Sequence, residues 1–422
     1  MDTGVSGQRM MLVYRLEKDL NGRMLKTAAK EIDLRVCEIR EEGAFELLKG
    51  PWNALATRVS ASIFLRHEWF SAAWAWRRGD SSLCILCVYS AETLVAVFPL
   101  IQAAKSHHGG RLLEFLSVPD TQCCDLLADP TCTQEICKAL VEYLVRRSSS
   151  WDQLRVERLP PDSLTETRLQ PLLAARMVNC RVEANDCNLF IDLEGAWEDY
   201  YATRSRSFKK AFNLAANRLA RTGGFEVETL SSNGVDRQRM QRFLDEIVSI
   251  SARSWKRSTG NTLDVPGPRA FIERLTDHAY ASDWLSVWVL RIHDTPVAME
   301  YQIVYDDQVH ALRADFDDEY KNLSPGSYLS RCLLEGLFAN GFKRYYMGPG
   351  KNSYKKRWSK TGDTLHTLTA YAPTLRGRAL ALWPNEVKPK LRTLRDRLSP
   401  VVATYFWLSA NAPDFGPLLS LI

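Results

Sequence analysis

One order of elements is written twice in this chain of 422 residues. Residues 64–77 read as a helix, and residues 83–89 and 94–103 as strands joined by a polar turn at 90–93. The same order returns at 268–281, 285–292 and 297–305, with the turn at 293–296. The hairpins match locally, with Val95-Ala96-Val97-Phe98 against Val297-Ala298-Met299-Glu300. Each copy then runs through further strand material into a helix (134–146; 328–340) and a closing strand (153–159; 342–347). A hairpin followed by a strand-helix-strand crossover buries its helices against a mixed sheet. The repeat therefore predicts an α/β fold with mixed sheets, built as two similar domains in tandem. Length agrees, since one hydrophobic core rarely grows past about 250 to 300 residues.

With 45% hydrophobic and 25% charged residues, the composition is that of an ordinary globular protein. A net charge of +5 is too small to point to nucleic acid. Residues 1–30 mix acidic and basic side chains without an apolar core, so no secretory signal is read there. No window approaches the ~18 to 20 apolar residues of a spanning helix, and a cytoplasmic location is expected. The ten cysteines are read as reduced thiols, and Cys84, Cys87, Cys123 and Cys124 lack the turns of a zinc ribbon. No metal is expected.

The two copies differ at one place. In the second, residues 321–328 (Lys-Asn-Leu-Ser-Pro-Gly-Ser-Tyr) carry the chain from a strand into a helix N-terminus, where free backbone N–H groups and the positive dipole end suit a phosphate. Ser324 followed by Pro325 is also an ordinary helix start. The first copy has residues 119–133 here, with Cys123, Cys124, Asp125 and Asp129 and no Ser-Pro-Gly turn. If the turn binds an anion, only the second domain does.

Residues 345–358 end a strand in two glycines and continue with Tyr354, Lys355, Lys356 and Arg357 on a short helix, an open strand end beside phenol and cationic donors. Glu300 and Asp315 lie inside strand-like runs. A carboxylate held there needs solvent or a partner, and one against an apolar wall has its pKa raised towards that of a base. Between the domains, residues 200–224 hold Arg204, Arg206, Lys209, Lys210, Arg218 and Arg221 and no acid. Phe208, Phe212, Ala215 and Leu219 fall on one face, so this is a basic amphipathic helix, either a solvated face or a rim for an anionic substrate. Residues 376–397 are basic again and precede the apolar run 401–408, which either docks on the protein or lies on an anionic membrane.

In this order the features resemble the acetyltransferase family associated with bacterial cellulose and exopolysaccharide production, the CelD/BcsL-like group. That group is a branch of the GNAT superfamily related to the FemAB peptidoglycan aminoacyltransferases. The matching pieces are Thr295-Pro296-Val297-Ala298, Ser324-Pro325-Gly326-Ser327-Tyr328-Leu329, Gly341-Phe342, Gly348, and Tyr354-Lys355-x-x-Trp358. The resemblance implies an N-terminal extension (1–34), a GNAT-like domain without a cofactor loop (35–186), a GNAT-like acyltransferase domain (187–373) and a basic, apolar C-terminal tail (374–422). It implies acetyl-CoA or another acyl-CoA as co-substrate, held by Leu323, Ser324, Gly326, Ser327 and Tyr328. Glu300 or Asp315 would be the base, and Tyr354, or else Tyr346, would protonate the thiolate. Arg206, Lys210, Tyr346, Lys355 and Arg357 would meet a small glycan or amine acceptor. The alternatives are FemAB-like transfer from aminoacyl-tRNA and a non-catalytic role in polysaccharide assembly. Two departures stand out: the turn lacks the Gln/Arg-x-x-Gly-x-Gly/Ala signature, and Tyr345-Tyr346 stand where the group carries an acid.

Overall fold

The computed structural model describes residues 14–18, 24–28, 33–104, 110–232, 236–350 and 352–382. Most of the predicted N-terminal extension and C-terminal tail, including the apolar run 401–408, lies outside them. Strands β1 (Tyr14–Lys18) and β2 (Met24–Ala28) pair antiparallel, apart from the main sheet.

The first half follows as β3 (Leu34–Ile39), α1 (Glu42–Leu47), α2 (Lys49–Arg58), α3 (His67–Arg77), β4 (Ser81–Ser90), β5 (Thr93–Ala103), β6 (Leu112–Phe115), β7 (Leu127–Ala128), α4 (Thr133–Arg146) and β8 (Gln153–Leu159). Next come α5 (Gln170–Ala174), the long β9 (Val178–Asp192), α6 (Trp197–Ala202) and α7 (Arg206–Ala220). The second half is β10 (Phe225–Ser231), α8 (Arg237–Ala252), α9 (Pro266–Ala281), β11 (Leu285–Ile292), β12 (Thr295–Tyr305), β13 (Gln308–Phe316), α10 (Pro325–Ala339) and β14 (Arg344–Pro349). It closes with α11 (Ser353–Trp358), β15 (Gly362–Tyr371) and α12 (Leu375–Leu382).

The repeat read from sequence is present element for element, and the fold is mixed α/β. One sheet of 13 strands runs through both halves in the order β10-β11-β12-β13-β14-β9-β15-β8-β6-β5-β4-β3, with β7 on β5. The order is a near-palindrome about the β9–β15 pair. In each half a meander is followed by one parallel pair, β6 with β8 and β13 with β14, made through the crossover helices α4 and α10. At the centre the chain crosses over: β9, which follows the first half, pairs with β14, while β15, which follows the second, pairs with β8. Across the halves α3 packs on α9, where the Trp69 and Phe271 rings lie 5.4 Å apart.

Local chemistry explains the boundaries. Asp306 and Asp307 both take positive φ in the tight β12–β13 turn, as a two-residue hairpin of the right twist requires. Gly341, at φ +72°, ends α10, and Pro325 opens it. The predicted basic helix is broken, because Ser205 caps a new start by accepting from the Phe208 N–H. In α7 the predicted stripe of Phe208, Phe212, Ala215 and Leu219 is buried.

Candidate active site

The parallel pair β13–β14 holds for only three residue pairs, Gln308 with Arg344 to His310 with Tyr346, and the strands then part. Parting leaves backbone carbonyls without ladder partners, and side chains take them over. Gln122, from the first half, donates to the Ala311 carbonyl at 2.9 Å. Its own carbonyl accepts from Asn188 at 3.1 Å and faces His310 Nδ1 at 3.2 Å. Burial pulls the His310 imidazole down to about 3, so the ring is neutral. On the β14 side Lys355 Nζ donates to the Gly348 and Pro349 carbonyls, both at 2.8 Å. Desolvation pulls this lysine down to about 8. Gly348 itself sits at φ +79°, where the strand turns away.

Glu300 lies beside this opening, on the face of β12 that α10 covers. It is 3% exposed and accepts from the Tyr345 hydroxyl at 2.5 Å and the Gln302 amide at 2.9 Å. Burial raises its pKa, against the pull of those two donors and of Lys256 and Lys355. Tyr345 is driven well up by its own burial and by the charge of Glu300. Tyr354 is pushed up to about 12 by burial and lies 2.5 Å from the Ser330 hydroxyl of α10. Glu300, Tyr345, Tyr354 and Ser330 thus form a polar group beneath α10, with Lys355 at its edge.

Asp315 is elsewhere. Register pairs Glu300 with Ala314 and Met299 with Asp315, which places the two carboxylates on opposite faces of the sheet. Asp315 is held by Lys256 at 2.6 Å and by the Ser251 hydroxyl of α8 at 2.9 Å. Beside it Arg313 forms a buried ion pair with Asp120 of the first half at 2.6 Å.

At the start of α10, Ser324 takes the left-handed conformation at φ +57°, no side chain caps the helix and its first turn carries no acid. Gly326 packs so closely that a Cβ there would come within 3.2 Å of the Phe316 ring. The Tyr328 ring rests on Phe225 at 5.3 Å, and Leu323 packs on the apolar cluster around Leu219 and Leu329. Arg218 of α7 donates to the Asn322 carbonyl at 2.8 Å, a brace for this loop that the sequence reading did not foresee. Arg206 and Lys210 are exposed on α7. Tyr346 stacks on His310 at 5.1 Å on the face opposite Tyr345, and Arg357 lies over the Tyr354 ring.

Tyr345, Gln122 and Ser330 were not singled out as site residues. The one signal was the Tyr345-Tyr346 pair standing where an acid was expected, since a buried phenol there needs a partner. Among the described residues no group of three or more His, Cys, Asp or Glu is arranged for a metal, and no helix is long and apolar enough to cross a membrane. Cys84 donates to Glu38 and Cys123 lies 3.4 Å from the Ser62 hydroxyl.

Residues 206–356 match the family described as acetyltransferase (GNAT) domain. No curated protein matches the chain. Among solved structures, FemX is similar with a TM-score of 0.50 and 11% identity, over 83% of this chain and 99% of its own. A tandem GNAT protein from the clavulanic acid biosynthesis pathway has a TM-score of 0.44 and 10% identity, over 81% of this chain and 99% of its own. The stretch from α7 to α11 is a GNAT acetyltransferase domain, and the chain is an acyltransferase of that type.

Proposed function

We propose that the chain transfers an acyl group, acetyl in the simplest case, from acyl-CoA to an amine or hydroxyl of a sugar, amino sugar or related envelope or exopolysaccharide precursor. The observation that carries this reading is the parting of β13 and β14 beside a buried carboxylate, Glu300, with an uncapped, acid-free helix start at α10 on the same strand. An extended thiol arm fits such an opening, and a diphosphate fits such a helix start.

The thioester supplies an activated carbonyl carbon. In the proposed step the acceptor nitrogen or oxygen bonds to that carbon as the carbon–sulfur bond breaks. Glu300, raised by burial, takes the acceptor proton by way of Tyr345 or water, and Tyr354 gives its proton to the departing sulfur. Asp315, ion-paired to Lys256 on the other face, has a structural part in this scheme. The division of the chain at residues 35–186 and 187–373 is kept as a working assignment, with β9 and β15 shared at the seam.

The test is calorimetric titration with acetyl-CoA of the wild type and Ser327→Asp. A carboxylate in the first turn favours the helix by about 0.3–1 kcal/mol while repelling a phosphate. Folding intact and affinity down at least about tenfold is expected. Unchanged affinity would remove the α10 loop from the scheme. Gly326→Val is the less clean probe because its Cβ presses on Phe316. A second reading, transfer from aminoacyl-tRNA, has in its favour the exposed Arg206 and Lys210 on α7. It predicts no saturable acetyl-CoA binding by the wild type.

A further inference from the structure

Beside the polar group lies a cleft of about 830 Å³ that the scheme above does not use. Its walls are the start of α7, the end of β9 and the turn from α11 into β15. Arg204, Lys356, Arg357 and Lys360 line it, against a single acid, Asp192, whose charge is already engaged by Arg344 at 2.8 Å. Lys356 and Lys360 are exposed and have no carboxylate partner among the described residues. Uncompensated like charges gathered in one concavity cost stability unless an anion completes them.

The cleft is built rather than loose. Arg204 is fixed by donating to the Trp358 carbonyl and by lying over the Tyr200 ring at 4.6 Å. Trp358 is wedged against Phe208 at 4.8 Å, which ties α11 to α7. Arg357 links the cleft to the polar group, since it lines the cleft while its guanidinium lies 5.7 Å from the centre of the Tyr354 ring. The volume lies in the range of small-ligand sites.

We infer that this cleft is the acceptor's phosphate subsite, taking the phosphate or diphosphate of a phosphate-linked sugar whose amine or hydroxyl is then acylated. The inference rests on the acyl-transfer reading and adds the class of acceptor to it. The phosphate can belong to a soluble nucleotide sugar or to an isoprenyl-phosphate lipid carrier, since both present the same group to the cations.

The experiment is titration of the wild type and of the double variant Lys356→Ala, Lys360→Ala with UDP-N-acetylglucosamine, with unphosphorylated N-acetylglucosamine and, separately, with acetyl-CoA. Cosedimentation with vesicles containing an isoprenyl phosphate forms a parallel arm. Both lysines are exposed, so the variant should fold. The expected result is binding of a phosphate-bearing probe, weaker at high salt, that the double variant loses by at least about tenfold while its acetyl-CoA affinity stays unchanged. Binding of the nucleotide sugar assigns a soluble acceptor, and binding to the vesicles alone assigns a lipid-linked one. Failure of both phosphate probes to bind the wild type, or equal binding by the variant, overturns the subsite even if acetyl-CoA still binds. Loss of acetyl-CoA affinity in the variant overturns it too, by giving the cleft to the co-substrate.

Discussion

The two halves share one plan and diverge where function would be placed. Each has a short parallel strand pair that parts, β6–β8 in the first and β13–β14 in the second. In the first half the opening is closed. Arg158, at φ +57°, donates to the Val118 and Thr121 carbonyls, and its own carbonyl accepts from the Cys124 N–H, so the loop before α4 is sewn onto the strand. In the second half the side chains of Gln122 and Lys355 tend the opening, taking the carbonyls of Ala311, Gly348 and Pro349. The helix starts differ likewise. Asp129 accepts from the Thr131 N–H at the turn into α4 and pairs with Arg58, whereas α10 has neither cap nor acid. A carboxylate already in place leaves a helix start little to offer an anion. The comparison teaches that a duplicated fold can keep a site in one copy by leaving backbone groups unfilled there, while the other copy fills them and serves as support.

The hardest blow to this contrast is aimed at Glu300. Glu300→Gln keeps the shape and an acceptor for the Tyr345 hydroxyl but removes the proposed base, so kcat should fall by about 10²- to 10⁴-fold with the protein still folded. Asp315→Asn, on the other face, should lower the denaturation midpoint while leaving kcat within a few-fold. Steady-state rates and urea melts of both variants decide it. Equal rate losses would mean that the sheet does not separate a catalytic from a structural carboxylate.

Support by the first half is tested at the ion pair between Arg313 and Asp120, whose side chains are 4% and 3% exposed. Burial pushes the Asp120 carboxyl up, and Arg313 is the main group opposing that push. Removing one partner strands the other, so Arg313→Met should cost about 3–5 kcal/mol of stability. The double variant Arg313→Met, Asp120→Leu should recover a large part of it. A single variant as stable as the wild type would show that the halves are held together by packing alone.

Much of this arrangement was legible in the sequence because it is local. Periodicity gave the repeated helix-hairpin-crossover order and the buried stripe of α7, and the Ser-Pro pair marked the start of α10. What was hidden is long-range. Glu300 and Asp315 look alike as carboxylates in strands, and only the register across the β12–β13 hairpin, with its bulge at Tyr301 and Gln302, sends them to opposite faces. Gln122 reaches a strand 189 residues further along, and no local pattern announces an amide that caps a distant carbonyl. The exchange of β9 and β15 between halves is equally silent, since strand propensity does not name a partner.

The smallest expected effect is also the one most specific to the open half. Lys355 has an ordinary value of 10.5 and is drawn to about 8 by burial at the strand opening. The unfolded chain keeps this proton up to the ordinary value, while the folded protein releases it near the lowered one. Between the two the unfolded state binds more protons, so stability rises with pH across that window, and the cost of holding the buried cation is fully present below it. Lys355→Met removes this contribution and also strips a donor from the Gly348 and Pro349 carbonyls. Its absolute stability therefore mixes two effects of opposite sign, but its pH dependence does not. The difference in urea midpoint, wild type minus variant, should be flat at mildly acidic pH and climb from about pH 8 to about pH 10. A difference that stays flat across that range would mean that Lys355 is solvated, and that the second opening is wider than its two attendant side chains suggest.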